Sequence, residues 1–342
     1  DGRRLVTAAE DGTARVWDTE AAHGEVVLRG HTGAVRFASF AADGRRVVTA
    51  ASDRSARVWA VEGAEGRVVL ALKEHPGALM FAGFTEAGAV VTGGEDGALR
   101  FWIDRKLDRT VKVLPGGRAA FVSLGAGGRV ALASATDVAT RVTLADGARA
   151  ALRGHTGLVL HAAVSPDGAR VVTVGDDRSA RVWAADGTAQ AVLRGHEGSI
   201  YFAGFSPDGR RIVTASWDRT ARVWSAAGGP AEAVLVDHEK VVRSAEFSGD
   251  GLRVVTASDD GTAKIWRSDG AGEVVTLHGH EGPVLHASFS PDGRQVVSAG
   301  SDRTARVWAA DFDNPALLRT GRERRAISSS CGVSPPQSTT LG

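Results

Sequence analysis

One cysteine, Cys331, is all the chain carries. A single thiol excludes an intrachain disulfide framework and any multi-cysteine metal site, and it fits a reducing compartment, so a cytoplasmic location is expected. Charge of one sign is missing too: 41 Lys and Arg against 40 Asp and Glu leave a formal net charge of +1. A strongly basic nucleic-acid or anionic-membrane binder would carry an excess of cations. No apolar run approaches the roughly 18 residues of a membrane helix. The opening "DGRRLVTAAE" has neither an initiator Met nor a signal-peptide pattern. It begins mid-pattern, as a piece of a longer protein with a covalently linked upstream domain would. Lysine is scarce beside arginine and alanine is abundant, a codon bias expected of a high-GC bacterial genome. Tyrosine and methionine occur once each, as Tyr201 and Met80.

What the chain has in quantity is repetition. Trp17, Trp59, Trp102, Trp183, Trp224, Trp266 and Trp308 recur about every 42 residues, with a double gap after Trp102 where Thr143 stands in the vacant position. His31, His75, His155, His196, His238 and His280 precede the Trp of their own copy by 27 or 28 residues, and four of them sit in GH pairs. A period of this length marks stacked supersecondary units.

Inside one period, short apolar runs alternate with turn signals, as in "VRFASF", "RRVVTAA", "SARVWA" and "RVVLAL" of the second copy. Four β-rich runs read as a four-stranded antiparallel sheet. "SPDG" at Ser165, Ser206 and Ser290 puts Pro and Gly where a type I turn prefers them. "DG" or "DR" ahead of each Trp-bearing run marks another tight turn. One such sheet is apolar on both faces and cannot stand alone, whereas a ring of them buries each face against a neighbour.

With GH, Ser/Thr, Asp and Trp at constant spacing in six copies, the chain resembles the WD-repeat β-propellers over residues 1 to 320, although only Trp17-Asp18 keeps the literal WD pair. The resemblance implies an all-β fold, a β-propeller of four-stranded antiparallel blades. The count gives eight blades, the first incomplete because residues 1–29 supply only three strands; a seven-bladed ring or a slice of a longer array is the alternative. Residues 321–342 form a Ser/Pro-rich tail, expected to be disordered. "AISSSCGV" within it could in principle fill the vacant inner strand.

In the family a His, a Ser/Thr, an Asp and the Trp form a buried hydrogen-bonded tetrad. Carried onto this chain, the second copy supplies His31, Thr49, Asp53 and Trp59, and the third His75, Thr92, Asp96 and Trp102. The fifth supplies His155, Thr173, Asp177 and Trp183, and the sixth His196, Thr214, Asp218 and Trp224. The seventh gives His238, Thr256, Asp260 and Trp266, and the eighth His280, Ser298, Asp302 and Trp308. The fourth copy is degenerate: Gly117, Ala133 and Thr143 replace His, Ser/Thr and Trp, leaving Asp137 alone.

A hydroxyl, an imidazole and a carboxylate in one unit resemble a catalytic triad, but a nucleophile site occurs once, in a cleft with an oxyanion hole, and this set recurs six times. No catalytic residue is therefore assigned. His23, His161, His278 and His286 have no carboxylate or thiolate partner at a recognisable spacing, and the second His of "HGH" (His278 to His280) belongs to a tetrad, so neither a metal nor a cofactor is expected. "GAGG" at Gly125 reads as a hairpin turn, since it lacks the strand-to-helix context of a phosphate loop. Arg15, Arg57, Arg100, Arg141, Arg181, Arg222, Lys264 and Arg306 lie two before each Trp position. One per blade, they are expected along blade edges and not as a nucleic-acid patch.

Function must then come from a surface. The residues three and five after the His share one side of the inner strand by the period of two, and the residue before the tetrad Asp crowns the neighbouring turn. In WD-repeat proteins these positions rim the face on which partners dock. Here the fifth blade brings Leu158, Leu160 and Asp176, the sixth Ser199, Tyr201 and Trp217, the seventh Val241, Arg243 and Asp259, and the eighth Pro283, Leu285 and Ser301. The second adds Arg36, the third Met80 and Glu95, the first Glu10. Trp217 is the only Trp outside the repeating series. The expected function is a non-catalytic scaffold module that binds protein or peptide, part of a larger bacterial signalling protein, with no membrane partner. Its rivals are an enzyme working in the central channel, which needs a channel cluster of His or Asp that the sequence does not display, and a nucleic-acid binder.

Overall fold

The computed structural model describes residues 4–8, 11–18, 25–33, 35–41, 45–62, 65–73, 75–85, 88–103, 106–113, 121–125, 130–134, 138–143, 149–272, 274–289, 293, 295–301 and 305–310. Among these there is no helix, and the strands form eight antiparallel sheets, six of four strands and two of three. The fold is an all-β propeller. The first sheet consists of Arg4–Ala8, Thr13–Asp18 and Glu25–Arg29, and the last of Val284–Phe289, Gln295–Gly300 and Ala305–Ala309. The tail, with "AISSSCGV", lies outside the described residues, as do Glu10, His23, Gly117, Asp137 and Asp302.

The sixth blade shows why each copy folds as it does. Its strands Ile200–Phe205, Arg211–Ser216, Thr220–Ser225 and Ala231–Val236 pair in chain order. The first connection is closed by its own side chains: Ser206 Oγ donates to Asp208 at 2.5 Å and accepts from the Arg211 amide at 2.9 Å, while Gly209, at φ +69°, donates its amide to the Ser206 carbonyl. The second tight turn needs a left-handed residue after the tetrad Asp. Gly97 and Gly261 fill it in the third and seventh blades, whereas Arg54, Arg178 and Arg219 hold the same conformation at φ 60° to 69° in the second, fifth and sixth. In the fourth blade Phe121–Gly125 pairs with Val130–Ser134; of "GAGG", only Gly125 is among the described residues.

The core lies between blades. Trp224, wholly buried, packs with Ile200, Ala203 and Ile212 of its own blade against Val172, Val174, Val182 and Leu193 of the fifth. The second strands are accordingly buried on both faces, as Ile212 to Ser216 are. Each such aliphatic side chain contributes roughly 1.5–3 kcal/mol by leaving water, a gain no isolated blade could collect.

A second inter-blade device lies at the other end of the strands. Arg46, Arg170, Arg211 and Arg253, each at the start of a second strand, stand over Phe84, Phe205, Phe247 and Phe289 of the following blade at 5.4, 5.8, 5.3 and 5.0 Å. Arg170 also donates to the Gly209 carbonyl at 2.6 Å, and Arg211 to the Gly251 carbonyl at 2.5 Å and the Ser268 hydroxyl at 2.9 Å. Arg170, Arg211 and Arg253 thus combine cation–π contact with donation to a backbone carbonyl, and Arg211 adds a second bond through its planar fork, which an ammonium could not reproduce.

Candidate functional site

The four tetrad groups hydrogen-bond as one chain in the second, fifth, sixth and seventh blades. In the sixth, the indole N–H of Trp224 donates to Thr214 Oγ1 at 2.9 Å, Thr214 Oγ1 lies 2.7 Å from His196 Nε2, and His196 Nδ1 lies 2.7 Å from Asp218. The second, fifth and seventh blades repeat these distances within 0.2 to 0.3 Å. In the eighth, Ser298 Oγ is 2.8 Å from both His280 Nε2 and Trp308 Nε1; Asp302 is outside the described residues. Burial pulls the imidazoles of His31, His155 and His196 below their ordinary value, although the Asp partner pulls upward. They are neutral relays.

The carboxylates hold more bonds than the tetrad accounts for. A hydroxyl two residues after the Asp donates to it: Ser55 at 2.7 Å, Ser179 at 2.7 Å, Thr220 at 2.6 Å and Thr262 at 2.6 Å. The amide following the tetrad His donates to the other oxygen, as Glu197 does to Asp218 at 2.9 Å. Burial alone would push Asp177, Asp218 and Asp260 up, but these donors and the imidazole outweigh it and hold all three well below the usual carboxylate range.

The third blade departs from the expected tetrad. Trp102 still donates to Thr92 at 2.9 Å, but Thr92 is 3.5 Å from His75 Nε2, and Asp96 pairs with Arg100 at 2.5 Å instead of with His75. The residue two after Asp96 is Ala98, so this carboxylate lacks the hydroxyl donor found in the other blades; Asp11 of the first blade pairs with Arg15 at 2.8 Å although Thr13 supplies that hydroxyl. His75 Nδ1 is buried without a hydrogen-bond partner among the described residues, and burial, with Arg100 nearby, takes this imidazole down to about 4.

Three of the once-per-blade cations are accounted for by the GH pair. Arg57, Arg181 and Arg222 lie so close to Gly30, Gly154 and Gly195 that a β-carbon there would stand 2.6, 2.6 and 2.7 Å from a guanidinium nitrogen, at φ values of 149° to 155°. The Gly before the His is the seat of the Arg. Where Asp237 replaces that Gly, Lys264 replaces the Arg and pairs with Asp237. These cations point into their own blades.

The rim begins with a backbone bond common to the blades. The amide of the residue before the Asp donates to the carbonyl three after the His: Asp176 to Leu158 at 3.0 Å, Trp217 to Ser199 at 2.9 Å, Asp259 to Val241 at 2.9 Å, Ser301 to Pro283 at 2.8 Å and Glu95 to Ala78 at 2.9 Å. The position five after the His corrects a simple period of two. Arg36, Met80, Leu160, Tyr201, Arg243 and Leu285 are each skipped by the ladder, as the extra residue of a β-bulge. A bulge re-aims a side chain without using a pairing position, and the fifth, sixth and eighth inner strands lose strict alternation there.

Four rim residues come together. Trp217, 57% exposed, stacks on Tyr201 with ring centroids 6.0 Å apart at 29°. Arg243 stands 5.4 Å from the centre of the Tyr201 ring and is itself gripped by Asp259 through two bonds of 2.8 and 2.7 Å. Burial raises the Tyr201 phenol above its ordinary value; Arg243 opposes this, and Asp176 and Asp259 add to it, placing both carboxylates within its field. Gly198 permits the arrangement, since a β-carbon there would stand 3.0 Å from Trp217 Cβ and 2.8 Å from the Asp218 amide. Leu158 and Leu160 belong to the preceding blade and the exposed Leu285 to the eighth, while Met80 sits apart in the third. The side chain of Arg36 is outside the description.

The model of the WD domain, G-beta repeat matches residues 1–18, 25–60, 148–184, 187–225, 229–267 and 272–309, over half the chain. The chain belongs to the WD40-repeat family. WD40 repeats generally serve as non-catalytic scaffolds that bind proteins or peptides. The matched WD40 segments pass over residues 61–147, which hold the rearranged third tetrad and the degenerate fourth copy. Among solved structures, a crystal structure of the computationally designed Ika8 protein is similar at 25% identity, covering 90% of this WD40 chain and 93% of that one with a TM-score of 0.75. No curated protein matches the chain.

Proposed function

We propose that this chain is a non-catalytic scaffold module of a larger bacterial signalling protein, working in the cytoplasm, and that it binds a protein or peptide on the rim around Trp217. The observation that carries the reading is a large aromatic left in water on a support that is already built: Trp217 on Tyr201, Tyr201 under Arg243, Arg243 in the fork of Asp259. Exposed, preorganised aromatics are the composition of an interface hot spot, because little side-chain freedom remains to be lost on docking. Leu158, Leu160 and Leu285 extend its apolar character, Asp176, Asp259 and Arg243 set a charge preference, and Arg36 and Met80 widen the rim on the second and third blades.

The enzyme reading is disfavoured because the tetrad hydroxyls of Thr49, Thr173, Thr214 and Thr256 are 0% exposed and donate into their own imidazoles. Nucleic acid is disfavoured by balanced charge and by cations turned into the blades. The test is capture of partners from a lysate with the parent chain and with Trp217→Ala, followed by titration of whatever is captured. The variant should bind about 2 kcal/mol more weakly, roughly 30-fold, with an unchanged melting temperature. Equal affinity would remove the rim reading.

A further inference from the structure

A second cluster lies on the innermost strands, and in it His286, for which no local spacing offers a partner, meets a carboxylate. His161 of the fifth blade stacks on Phe202 of the sixth, ring centroids 4.6 Å apart at 25°. Phe202 meets His286 of the eighth edge-on at 6.4 Å, although the seventh blade lies between their strands in sequence. His286 Nε2 is 3.0 Å from Glu246 Oε1 of the seventh. All four residues are on innermost strands, and His161, Phe202 and His286 each directly follow a bulge residue. The His286 and Glu246 side chains are 49% and 34% exposed, so water reaches the pair. The partners are 40 positions apart, about one repeat, so no local spacing reveals them.

Two imidazoles and one carboxylate in so small a space accommodate one proton well and two badly, because a second cation would face the first with only an aromatic ring beside it. We infer that the cluster is a one-proton clamp: a proton on His286 against Glu246 ties the seventh and eighth blades together at their innermost strands, while His161 stays neutral against Phe202. Burial brings His161 down to about 4; Glu246 pulls the other way and His286 adds to the lowering. Burial also pulls His286 down, but the charge and hydrogen bond of Glu246 leave it raised above its ordinary value.

The other charged groups nearby are engaged elsewhere. On the Glu246 strand, Arg243 is held by Asp259. Ile200–Phe205 brings Tyr201 as its only titratable group, and Gln295–Gly300 carries none. On Arg253–Ser258 the one cation, Arg253, stands over Phe289, and on Thr262–Arg267 Lys264 is paired with Asp237 and Arg267 with Asp269. The sign follows from the raised value. The clamp is closed below the ordinary histidine pKa and opens as pH rises through the folded-state value of His286.

Histidine ring signals of the whole chain, followed by NMR from pH 8 to 5 and assigned with His161→Gln and His286→Gln, test this. His286 should titrate above 6.5, and His161 should remain unprotonated throughout. Glu246→Gln should move the His286 midpoint below 6.5, and His286→Gln should move the His161 midpoint upward. Independent titration of both rings near the ordinary value overturns the clamp, as does a His286 midpoint indifferent to Glu246→Gln. Should a variant fail to fold, the unmodified chain still decides, since two midpoints on the same side of 6.5 also overturn it.

Discussion

Thr214→Val isolates the tetrad relay with almost no change of shape. A carboxylate can only accept, so Asp218 places the histidine proton on Nδ1 and leaves Nε2 of His196 an acceptor. The Thr214 hydroxyl must then donate to Nε2 while accepting from the Trp224 indole. Valine deletes that hydroxyl at a position with no exposure to water, stranding an indole N–H and an imidazole nitrogen together. At roughly 1–3 kcal/mol for each of the two stranded groups, the expected loss is about 2–6 kcal/mol. Thr214→Ser keeps the hydroxyl and removes one methyl, about 1 kcal/mol; Ser298 already fills this role in the eighth blade. Thr92→Val should cost about half as much as Thr214→Val, because Thr92 is 3.5 Å from its histidine and chiefly the indole is stranded. Urea unfolding followed by circular dichroism, at constant slope, reads the differences. If valine at 214 costs no more than serine, the hydroxyl is not the relay and the tetrad is packing alone.

Arg211→Ala removes two hydrogen bonds and a cation–π contact to the seventh blade, so a loss of about 2 kcal/mol is expected; Arg211→Lys should restore only part of it, and full recovery of the melting temperature by lysine would contradict the fork geometry. Acidification should destabilise in two steps. The unfolded chain takes up protons on His31, His155 and His196 first, as pH falls below about 6.5, because their folded values are lowered. Below about pH 4 the depressed Asp177, Asp218 and Asp260 carboxylates lose their contribution in turn. A urea midpoint flat from pH 7 to 5 would refute the first step.

The repeat family and the sheet-by-sheet plan were legible because they follow from periodicity: the Trp and His series fix one unit, and apolar runs between turn signals fix its strands. The tetrad spacing selected the residues that hydrogen-bond in four blades for the same reason. The third blade departs from it, since Asp96 pairs with Arg100 although His75, Thr92, Asp96 and Trp102 keep the tetrad spacing. The bulges were not legible, since an extra unpaired residue leaves no mark in composition, and a strict period of two counts straight through it. Contacts between blades were the least visible. His286 with Glu246, and Arg211 with Phe247, join residues about one period apart, and only the closing of neighbouring copies around an axis makes that interval short.

The bulge has a consequence for how such a molecule changes its preferences. A residue that the ladder skips contributes no pairing position and fills no inter-blade core, so its identity is released from the requirements of folding. Arg36, Met80, Leu160, Tyr201, Arg243 and Leu285 are six side chains of four different kinds on one backbone plan. Exchanging one rewrites the vocabulary of the mouth and leaves the grammar of the sheets intact. A new specificity can therefore be composed one blade at a time, by substitutions that leave the strand pairing in place.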